Sequence, residues 1–336
     1  MAPIIKKRNS QIILVGADDA GILKSEDGGL TFSASNIGFT HRQIVALRSD
    51  PYRPNTYYTS VSSDGHHGGF FSSSNGGIKW SNYNEGFPKD RIDIKAILPA
   101  RHSNLVYVGT NGGVFAGTPD KDPWQTVEIT QQLSVFDLTF TDSTENALFL
   151  ATLEGIFHLN LEGNVLKELS IPVYKGKVSA IVNDSSSKQL FAATDMGVFR
   201  SKDSGKTWMI KVKGLPDSPI HTLEKSGKRL FCGSGKGLFF SDDDGENWSK
   251  AKGVFPIGIS TIGPNPNDVN QIFAADFVVG HLFYSNTGGD LWTVLDLGFR
   301  NPKISVLTFS GAGNLVAGTI SEGIYEITLP KSLTDR

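Results

Sequence analysis

Short apolar segments in which alternate positions are polar recur along the whole chain, separated by turns rich in glycine. This period of two predicts β-strands, and no stretch of the sequence has the 3.6-residue period of an amphipathic helix. One full unit lies between 177 and 213, and the linker 214–219, which contains two prolines, separates it from the next unit. Its predicted strands, named A to D in chain order, are 177–182, 189–194, 197–201 and 207–213.

A glycine-containing hairpin joins strands B and C in every unit. In the copy at 108–115, apolar residues flank a turn formed by Asn111, Gly112 and Gly113. Eight copies are present, and they recur about every 43 residues, within the range of propeller blades. The pattern therefore predicts an all-β chain, a β-propeller of four-stranded antiparallel blades. The marker glycines of the hairpins are Gly21, Gly69, Gly113, Gly155, Gly197, Gly237, Gly280 and Gly323.

The number of blades depends on the strands that flank these hairpins. Strands of type A and type D are clear in seven places, one fewer than the hairpins. Eight blades are favoured, because seven would leave one hairpin with an exposed edge; seven blades are the alternative. Segment 3–6, Pro-Ile-Ile-Lys, would supply a missing strand. We expect one propeller domain over 1–336, with 331–336 as a disordered tail.

A second motif, S-x-D-x-G-x-T-W, follows strand C and is clearest at 201–208. We expect Asp203 to accept hydrogen bonds from backbone N–H groups ahead of it and Gly205 to take a positive φ. Trp208 is expected to pack between blades. The motif is therefore interpreted as a fold element at the outer C–D turn, rather than as a ligand site. The structural residues predicted on this basis are Asp27, Asn75, Asp203, Asp243, Trp80, Trp208, Trp248 and Trp292.

Two clusters of potential metal ligands do not complete a metal site. The three aspartates at 242–244 resemble a calcium loop, but the downstream bidentate acid and flanking helices of such a loop are absent from the sequence. His66 and His67 would be half of a site, and the sequence specifies no third ligand. No metal and no cofactor is predicted.

The end of the predicted blades that carries the B–C and D–A loops surrounds the axial channel and is the candidate functional face. Histidine and basic residues concentrate there, so the sequence predicts a surface that binds an acidic protein or peptide partner. A solvated rim with no partner is the alternative. The candidate partner-binding residues are His41, Arg42, His66, His67, Arg91, Lys177, His221, His281, Arg300 and Lys303.

Composition excludes several classes of protein. The net charge of −2 provides no global field for nucleic acid or an anionic membrane, and no apolar run is long enough to span a bilayer. Cys232 is the single cysteine, so no intramolecular disulfide can form. The basic N-terminus lacks the apolar core of a signal peptide. A soluble monomer is expected; its compartment stays open, because a trimmed N-terminus would be compatible with export.

The repeats resemble Asp-box (BNR) repeats along nearly the whole chain. The unit of glycine hairpin, box and Gly-Leu/Phe-Pro linker, seen at 86–88 and 214–216, resembles the photosystem II stability/assembly factor family. That resemblance implies a single propeller that binds a partner and catalyses no reaction. Sortilin-type propellers also carry the boxes, but they are larger and have a Cys-rich appendage that this sequence lacks.

Enzymes with Asp-boxes supply the alternative function. The aromatic-Arg-Ile-Pro motif of sialidases is missing from the sequence, which argues against that chemistry. Xyloglucanase-type glycosidases carry an N-terminal catalytic aspartate, with which Asp18 or Asp19 aligns loosely. Their second carboxylate lies on a second propeller, whereas one is expected here. A glycan binder or a glycoside hydrolase therefore stays as the alternative to a non-catalytic scaffold.

Overall fold

The computed structural model describes residues 13–17, 21–25, 33–34, 43–62, 68–88, 93–253, 258–276, 278–295, 303–309, 315–319 and 324–327. Its regular structure is β-strand throughout, apart from one short 3-10 turn at Glu128–Thr130. Within these ranges, no helix has the length and apolar character needed to cross a membrane.

Six sheets contain four antiparallel strands each, in the order of the sequence. We number them as blades 1 to 6. Blade 1 consists of β4 (Ile44–Ser49), β5 (Tyr57–Val61), β6 (Gly69–Ser73) and β7 (Ser81–Asn82). Blade 2 consists of β8 (Ile94–Pro99), β9 (Val106–Thr110), β10 (Gly113–Gly117) and β11 (Gln125–Thr126). Blade 3 consists of β12 (Val135–Phe140), β13 (Ala147–Thr152), β14 (Ile156–Asn160) and β15 (Val165–Glu168).

The second half of the chain continues the same arrangement. Blade 4 consists of β16 (Val178–Asp184), β17 (Gln189–Thr194), β18 (Gly197–Ser201) and β19 (Met209–Lys211). Blade 5 consists of β20 (Ile220–Ser226), β21 (Arg229–Ser234), β22 (Gly237–Ser241) and β23 (Ser249–Lys250). Blade 6 consists of β24 (Thr261–Asn265), β25 (Asp268–Ala275), β26 (Leu282–Ser285) and β27 (Thr293–Leu295).

Two further sheets contain three described strands each, one from each end of the chain. Of the first sheet, and of β30, only the backbone is described. The N-terminal sheet consists of β1 (Ile13–Ala17), β2 (Gly21–Ser25) and β3 (Ser33–Ala34). The C-terminal sheet consists of β28 (Ile304–Phe309), β29 (Leu315–Thr319) and β30 (Ile324–Ile327).

The all-β propeller with four-stranded antiparallel blades is confirmed, but the predicted number of blades is wrong. The described residues form six blades of four strands, not eight and not seven. The prediction assigned one blade to every glycine hairpin, whereas the first hairpin, β1–β2, lies with β1 against β30. This hairpin therefore adjoins the edge of the C-terminal sheet, and no described inner strand precedes it. Segment 3–6, which was expected to complete a blade, lies outside the described residues.

The inner strands of the blades stand side by side around a common axis. Contacts run from β4 through β8, β12, β16, β20 and β24 in turn, and β28 contacts both β24 and β4. Side-chain hydroxyls also link some neighbouring sheets around the ring. Ser60 Oγ donates to Ile94 O at 2.8 Å. Ser305 Oγ donates to Ile44 O at 2.9 Å, which joins the C-terminal sheet to blade 1.

A β-bulge occurs at the same place near the start of the inner strands. In six of the seven described inner strands, all except β24, the pairing with strand B shifts by one residue there, so one residue has no partner in the ladder. A bulge redirects the side chain of its extra residue. Because strands alternate in direction, this end of the blade also carries the B–C turn. The unpaired residues are Val45, Lys95, Phe136, Ser179, His221 and Ser305.

The C–D turns at the opposite end share one hydrogen-bond pattern. In the turn of blade 4, Ser201 Oγ donates to Asp203 Oδ1 at 2.8 Å and accepts from Gly205 N–H at 2.8 Å. Asp203 Oδ1 also accepts from Thr207 N–H at 2.8 Å, and these bonds hold the pKa of Asp203 down at about 2. The pattern recurs with Asn75 as acceptor in blade 1, where Lys79 N–H donates to Asn75 Oδ1 at 3.0 Å. These oxygens are occupied by their own turn.

The tryptophan that ends each motif fills the seam with the preceding blade. Trp124 of blade 2 stacks edge-on against Phe70 of blade 1, with 4.7 Å between ring centroids. Trp292 of blade 6 lies 6.4 Å from Phe231 of blade 5. Trp208 shares a buried cluster with residues of blades 3 and 4, and Trp248 shares one with residues of blades 4 and 5.

Ion pairs reinforce the same seams near the C–D turns. Arg200 of blade 4 is buried, and its guanidinium contacts Asp244 Oδ2 at 3.2 Å and Glu246 Oε1 at 2.9 Å in the turn of blade 5. Arg229 of blade 5 likewise reaches Asp290 Oδ1 of blade 6 at 2.6 Å. Charged side chains at this end thus connect neighbouring blades.

The glycines of the two Gly-Phe/Leu-Pro linkers allow the closest approach between blades. The carbonyl just before each glycine accepts the backbone N–H of the next tryptophan: Trp124 to Glu85 and Trp248 to Lys213, both at 2.8 Å. Gly214 has φ +91, and a Cβ there would lie 1.9 Å from Trp248 O. Only a residue without a side chain fits such a contact.

We predict that Gly214→Ala destabilises the protein by about 4 kcal/mol, because the added methyl overlaps backbone that cannot move without breaking the seam. Gly76→Ala is the matched control. Gly76 also has a positive φ of +71 but has nothing within 4 Å of the added Cβ, so its cost is about 1–2 kcal/mol. Urea unfolding of both variants measures the difference; equal losses would show that backbone conformation alone sets the cost.

Candidate partner-binding face and axial channel

Three residues converge at the mouth of the channel, on the end that carries the bulges. Phe136, the unpaired residue of β12, is half-buried. Lys95 Nζ, from the bulge of β8, lies 4.3 Å from the centroid of its ring. Lys177 Nζ, just before β16, lies 4.2 Å from the same centroid. Two ammonium groups from blades 2 and 4 therefore share one aromatic ring on blade 3.

The loop that leads into β16 fixes the position of Lys177. Tyr174 is buried, and its hydroxyl donates to Lys177 O at 2.6 Å. Burial raises the pKa of Tyr174, and the neighbouring Asp195 raises it further, so the phenol stays protonated. The side chain of Lys177 itself is exposed. A rigid anchor thus presents a solvent-accessible ammonium.

The mouth brings several basic groups close together. Burial lowers the pKa of Lys177, and the charge of Lys95 lowers it further. Burial likewise lowers the pKa of His221, the bulge residue of β20, and the charge of Lys177 adds to the effect. Lys95 has a partner in Asp93, at 3.6 Å, whereas Lys177 forms no ion pair with any described residue. The arrangement favours an anion at this place.

Apolar side chains surround the mouth on the same face. Leu153, Met196 and Val278 lie in the B–C turns of blades 3, 4 and 6, and each exposes about half of its surface or slightly more. Exposed apolar groups next to a charged centre are typical of a protein-binding surface.

The B–C turn of blade 6 is built around one buried carboxylate. Asp276 Oδ1 accepts N–H groups from Val278 at 3.0 Å and Val279 at 2.6 Å, and from Gly280 at 3.1 Å. Asp276 Oδ2 accepts His281 N–H at 3.1 Å and lies 3.0 Å from His281 Nδ1. His281, predicted as a partner-binding residue, is thus occupied with its own loop. The turn presents the two valines instead.

Acidic side chains lie beside and below this basic mouth: Asp137 directly follows Phe136, and Glu224 lies three residues beyond His221. Asp137 of β12 accepts N–H bonds from Leu138 at 2.9 Å and from Ile181 of the next blade at 3.0 Å. Burial raises its pKa, and these bonds and the charge of Arg48 oppose the rise. Burial raises the pKa of Glu224 on β20 to about 7; Arg48 lowers it and Asp137 raises it. These three side chains, on the inner strands of blades 1, 3 and 5, therefore influence one another through their charges.

The predicted partner-binding residues are distributed unevenly in the structure. Lys177 and His221 come together at the mouth, and Lys303 is exposed at the start of β28. Lys95 and Phe136 were missed, because the sequence places them inside an apolar strand and only the bulge turns them out. Nine of the residues singled out in the sequence lie outside the described ranges: Asp18, Asp19, Asp27, His41, Arg42, His66, His67, Arg91 and Arg300.

Within the described parts of the chain, no group of three or more His, Cys, Asp or Glu side chains is placed to hold a metal ion. At the C–D turns, Asp243 Oδ1 accepts Asn247 N–H at 2.9 Å, and Asp242 binds Arg229 at 2.6 Å. The carboxylates of the calcium-like sequence are thus engaged with protein groups.

Comparison with known proteins identifies the fold. No family model matches the chain, and no curated protein matches it. Solved β-propeller structures do. The extracellular domain of a one-component system of B. thetaiotaomicron has a TM-score of 0.72 at 14% identity, over 87% of this chain and 39% of that one. An ancestral GH74 enzyme has a TM-score of 0.71 at 15% identity, over 95% of this chain and 46% of that one.

A third similar structure is that of YCF48 bound to D1 peptide, with a TM-score of 0.66 at 15% identity. The match covers 87% of this chain and 94% of that one. By contrast, the chain spans about two fifths of the length of the B. thetaiotaomicron protein. The chain has a propeller fold. At such low identity, these similarities carry nothing about activity or partner.

We predict that Glu224 makes the stability of the protein depend on pH. Its pKa of about 7 lies above the ordinary value of 4.5, so its contribution is fully present below pH 4.5 and is lost as the pH rises through 7. Glu224→Gln removes this loss. The stability of the variant relative to the native protein should rise by up to about 3 kcal/mol between pH 4.5 and pH 8. Urea unfolding at several pH values measures it.

Glu168→Gln, on the exposed outer strand β15, is the matched control and should leave the pH profile unchanged. Parallel profiles for the native protein and Glu224→Gln would contradict the assignment of the channel carboxylate as the titrating group.

Proposed function

We propose that the chain is a non-catalytic binding scaffold, and that the face formed by the B–C and D–A loops binds a protein or peptide partner. The observation that carries the proposal is the convergence of Lys95 and Lys177 on the ring of Phe136, 4.3 and 4.2 Å from its centroid. An acidic residue of the partner would relieve the repulsion between these ammonium groups and gain charge-assisted hydrogen bonds.

Three further features support a macromolecular partner. Leu153, Met196 and Val278 offer apolar contact area around the charged centre. The turns that carry them are held by internal hydrogen bonds, such as those of Asp276, so little ordering is required on binding. A protein of similar fold, YCF48, is known with a peptide bound. None of these features calls for bond cleavage.

The carbohydrate-active alternative depends on Asp18 and Asp19, which lie outside the described residues. A glycosidase needs two carboxylates on either side of the scissile bond. Among the described residues of this face, Glu154 and Asp195 in the B–C turns of blades 3 and 4 also present carboxylates to solvent. The cluster of Lys95, Lys177 and Phe136 nevertheless favours binding an anion, and the scaffold is therefore the better-supported function.

We predict that the double variant Lys95→Glu, Lys177→Glu weakens binding of an acidic peptide at least tenfold. The probe is a fluorescein-labelled peptide of alternating Asp and Leu, followed by fluorescence anisotropy at two salt concentrations. The physical reason is that two attractive contacts become repulsive, and the salt dependence of the native affinity should decrease with them.

Lys121→Glu with Lys228→Glu is the matched control, since it makes the same change of charge in a C–D and an A–B turn at the opposite end of the blades. It should bind like the native protein. Equal affinity of the mouth variant and the native protein, or an equal loss in the control, would refute the proposed binding face.

A further inference from the structure

Groups of opposite charge occupy two depths of the same channel. His221 and Glu224 belong to one strand, β20, and are three residues apart. At about 3.3 Å per residue, the basic mouth and the carboxylate therefore lie about 10 Å apart along the axis. Lys95 and Lys177 lie at the level of His221, because Lys95 is a bulge residue like His221 and both lysines contact Phe136.

The deeper level carries a carboxylate with no fixed partner. Asp137, nearer the mouth beside Phe136, is held by the N–H groups of Leu138 and Ile181. Glu224, by contrast, accepts no hydrogen bond and forms no ion pair with any described residue. Arg48 is the cation that acts on both carboxylates, and its own side chain is exposed. One positive charge therefore faces two carboxylates.

We propose that the channel binds a two-part element of the partner peptide: a carboxylate at the mouth and a Lys or Arg side chain that reaches down the axis to Glu224. This inference deepens the proposed function and rests on it. The long, flexible stem of such a side chain suits a site about 10 Å below the mouth, and its charged end would give Glu224 the counter-ion that Arg48, shared with Asp137, supplies only in part.

Binding of the cation should be coupled to release of a proton. In the free protein Glu224 has a pKa of about 7, so at pH 7 it is protonated in about half of the molecules. An ammonium beside it favours the ionised form, and the displaced proton leaves to the buffer. A purely structural Glu224 would give no such signal.

The test uses two peptides of equal length, Asp-Leu-Asp-Lys and Asp-Leu-Asp-Gln, each with blocked ends. Titration calorimetry at pH 7 in two buffers of different ionisation enthalpy gives both affinity and protons released. We expect the Lys peptide to bind the native protein about tenfold more tightly than the Gln peptide, and to be alone in releasing protons.

Three variants separate the contributions. In Glu224→Gln, the affinity for the Lys peptide should fall to that for the Gln peptide, and proton release should disappear. Glu168→Gln should change neither the affinities nor the proton release. Glu224→Lys should invert the preference, so that Asp-Leu-Asp-Glu binds more tightly than the Lys peptide. Circular dichroism confirms that each variant is folded, and the comparison of peptides on the native protein requires no variant at all.

The outcomes distinguish this inference from the function on which it rests. If both peptides bind equally, Glu224→Gln changes neither affinity and the Lys95→Glu, Lys177→Glu variant weakens both, the axial cation site is overturned while the basic mouth stands. If the mouth variant weakens neither peptide, the proposed function itself fails.

Discussion

The packing of one blade against the next is the interaction on which the rest of this structure depends. A four-stranded sheet has two faces, and a blade on its own would leave both in water. Here each motif tryptophan fills the seam with the preceding blade, as Trp124 does against Phe70 at 4.7 Å. Burying such a ring removes roughly 150–250 Å² from water, a gain of about 4–6 kcal/mol. The linker glycine then sets the spacing, because Gly214 lies directly against Trp248 O.

The two ends of the blades therefore have different roles. The C–D turns and the ion pairs of Arg200 and Arg229 join neighbours, and their polar groups are engaged within the protein. At the other end, the bulges free one residue of the inner strands from the ladder. With a ladder partner, the side chains of Lys95 and Phe136 would project from a face of the sheet; without one, they meet in the channel mouth. The candidate binding site thus depends on a β-bulge that recurs in most of the inner strands.

Local patterns predicted the strands well, because each depends on neighbouring residues. In blade 4, strands B and C are Gln189–Thr194 and Gly197–Ser201, as the alternation and the turn glycine predicted. The outer strand is shorter than predicted, Met209–Lys211, since beyond these residues nothing pairs with it. The blade count failed for a related reason. The same hairpin sequence can begin a blade or adjoin the edge of another sheet, and only the contact of β1 with β30 decides which.

The sequence by itself determined the all-β class and the repeated unit, because turn chemistry and alternation are local. The tertiary structure decided how many complete blades form and which side chains meet. Lys95, Phe136 and Lys177 lie on blades 2, 3 and 4. Arg48, Asp137 and Glu224 lie on blades 1, 3 and 5. Their approach depends on closing the ring and on where each bulge falls. Neither has a signature within any single repeat.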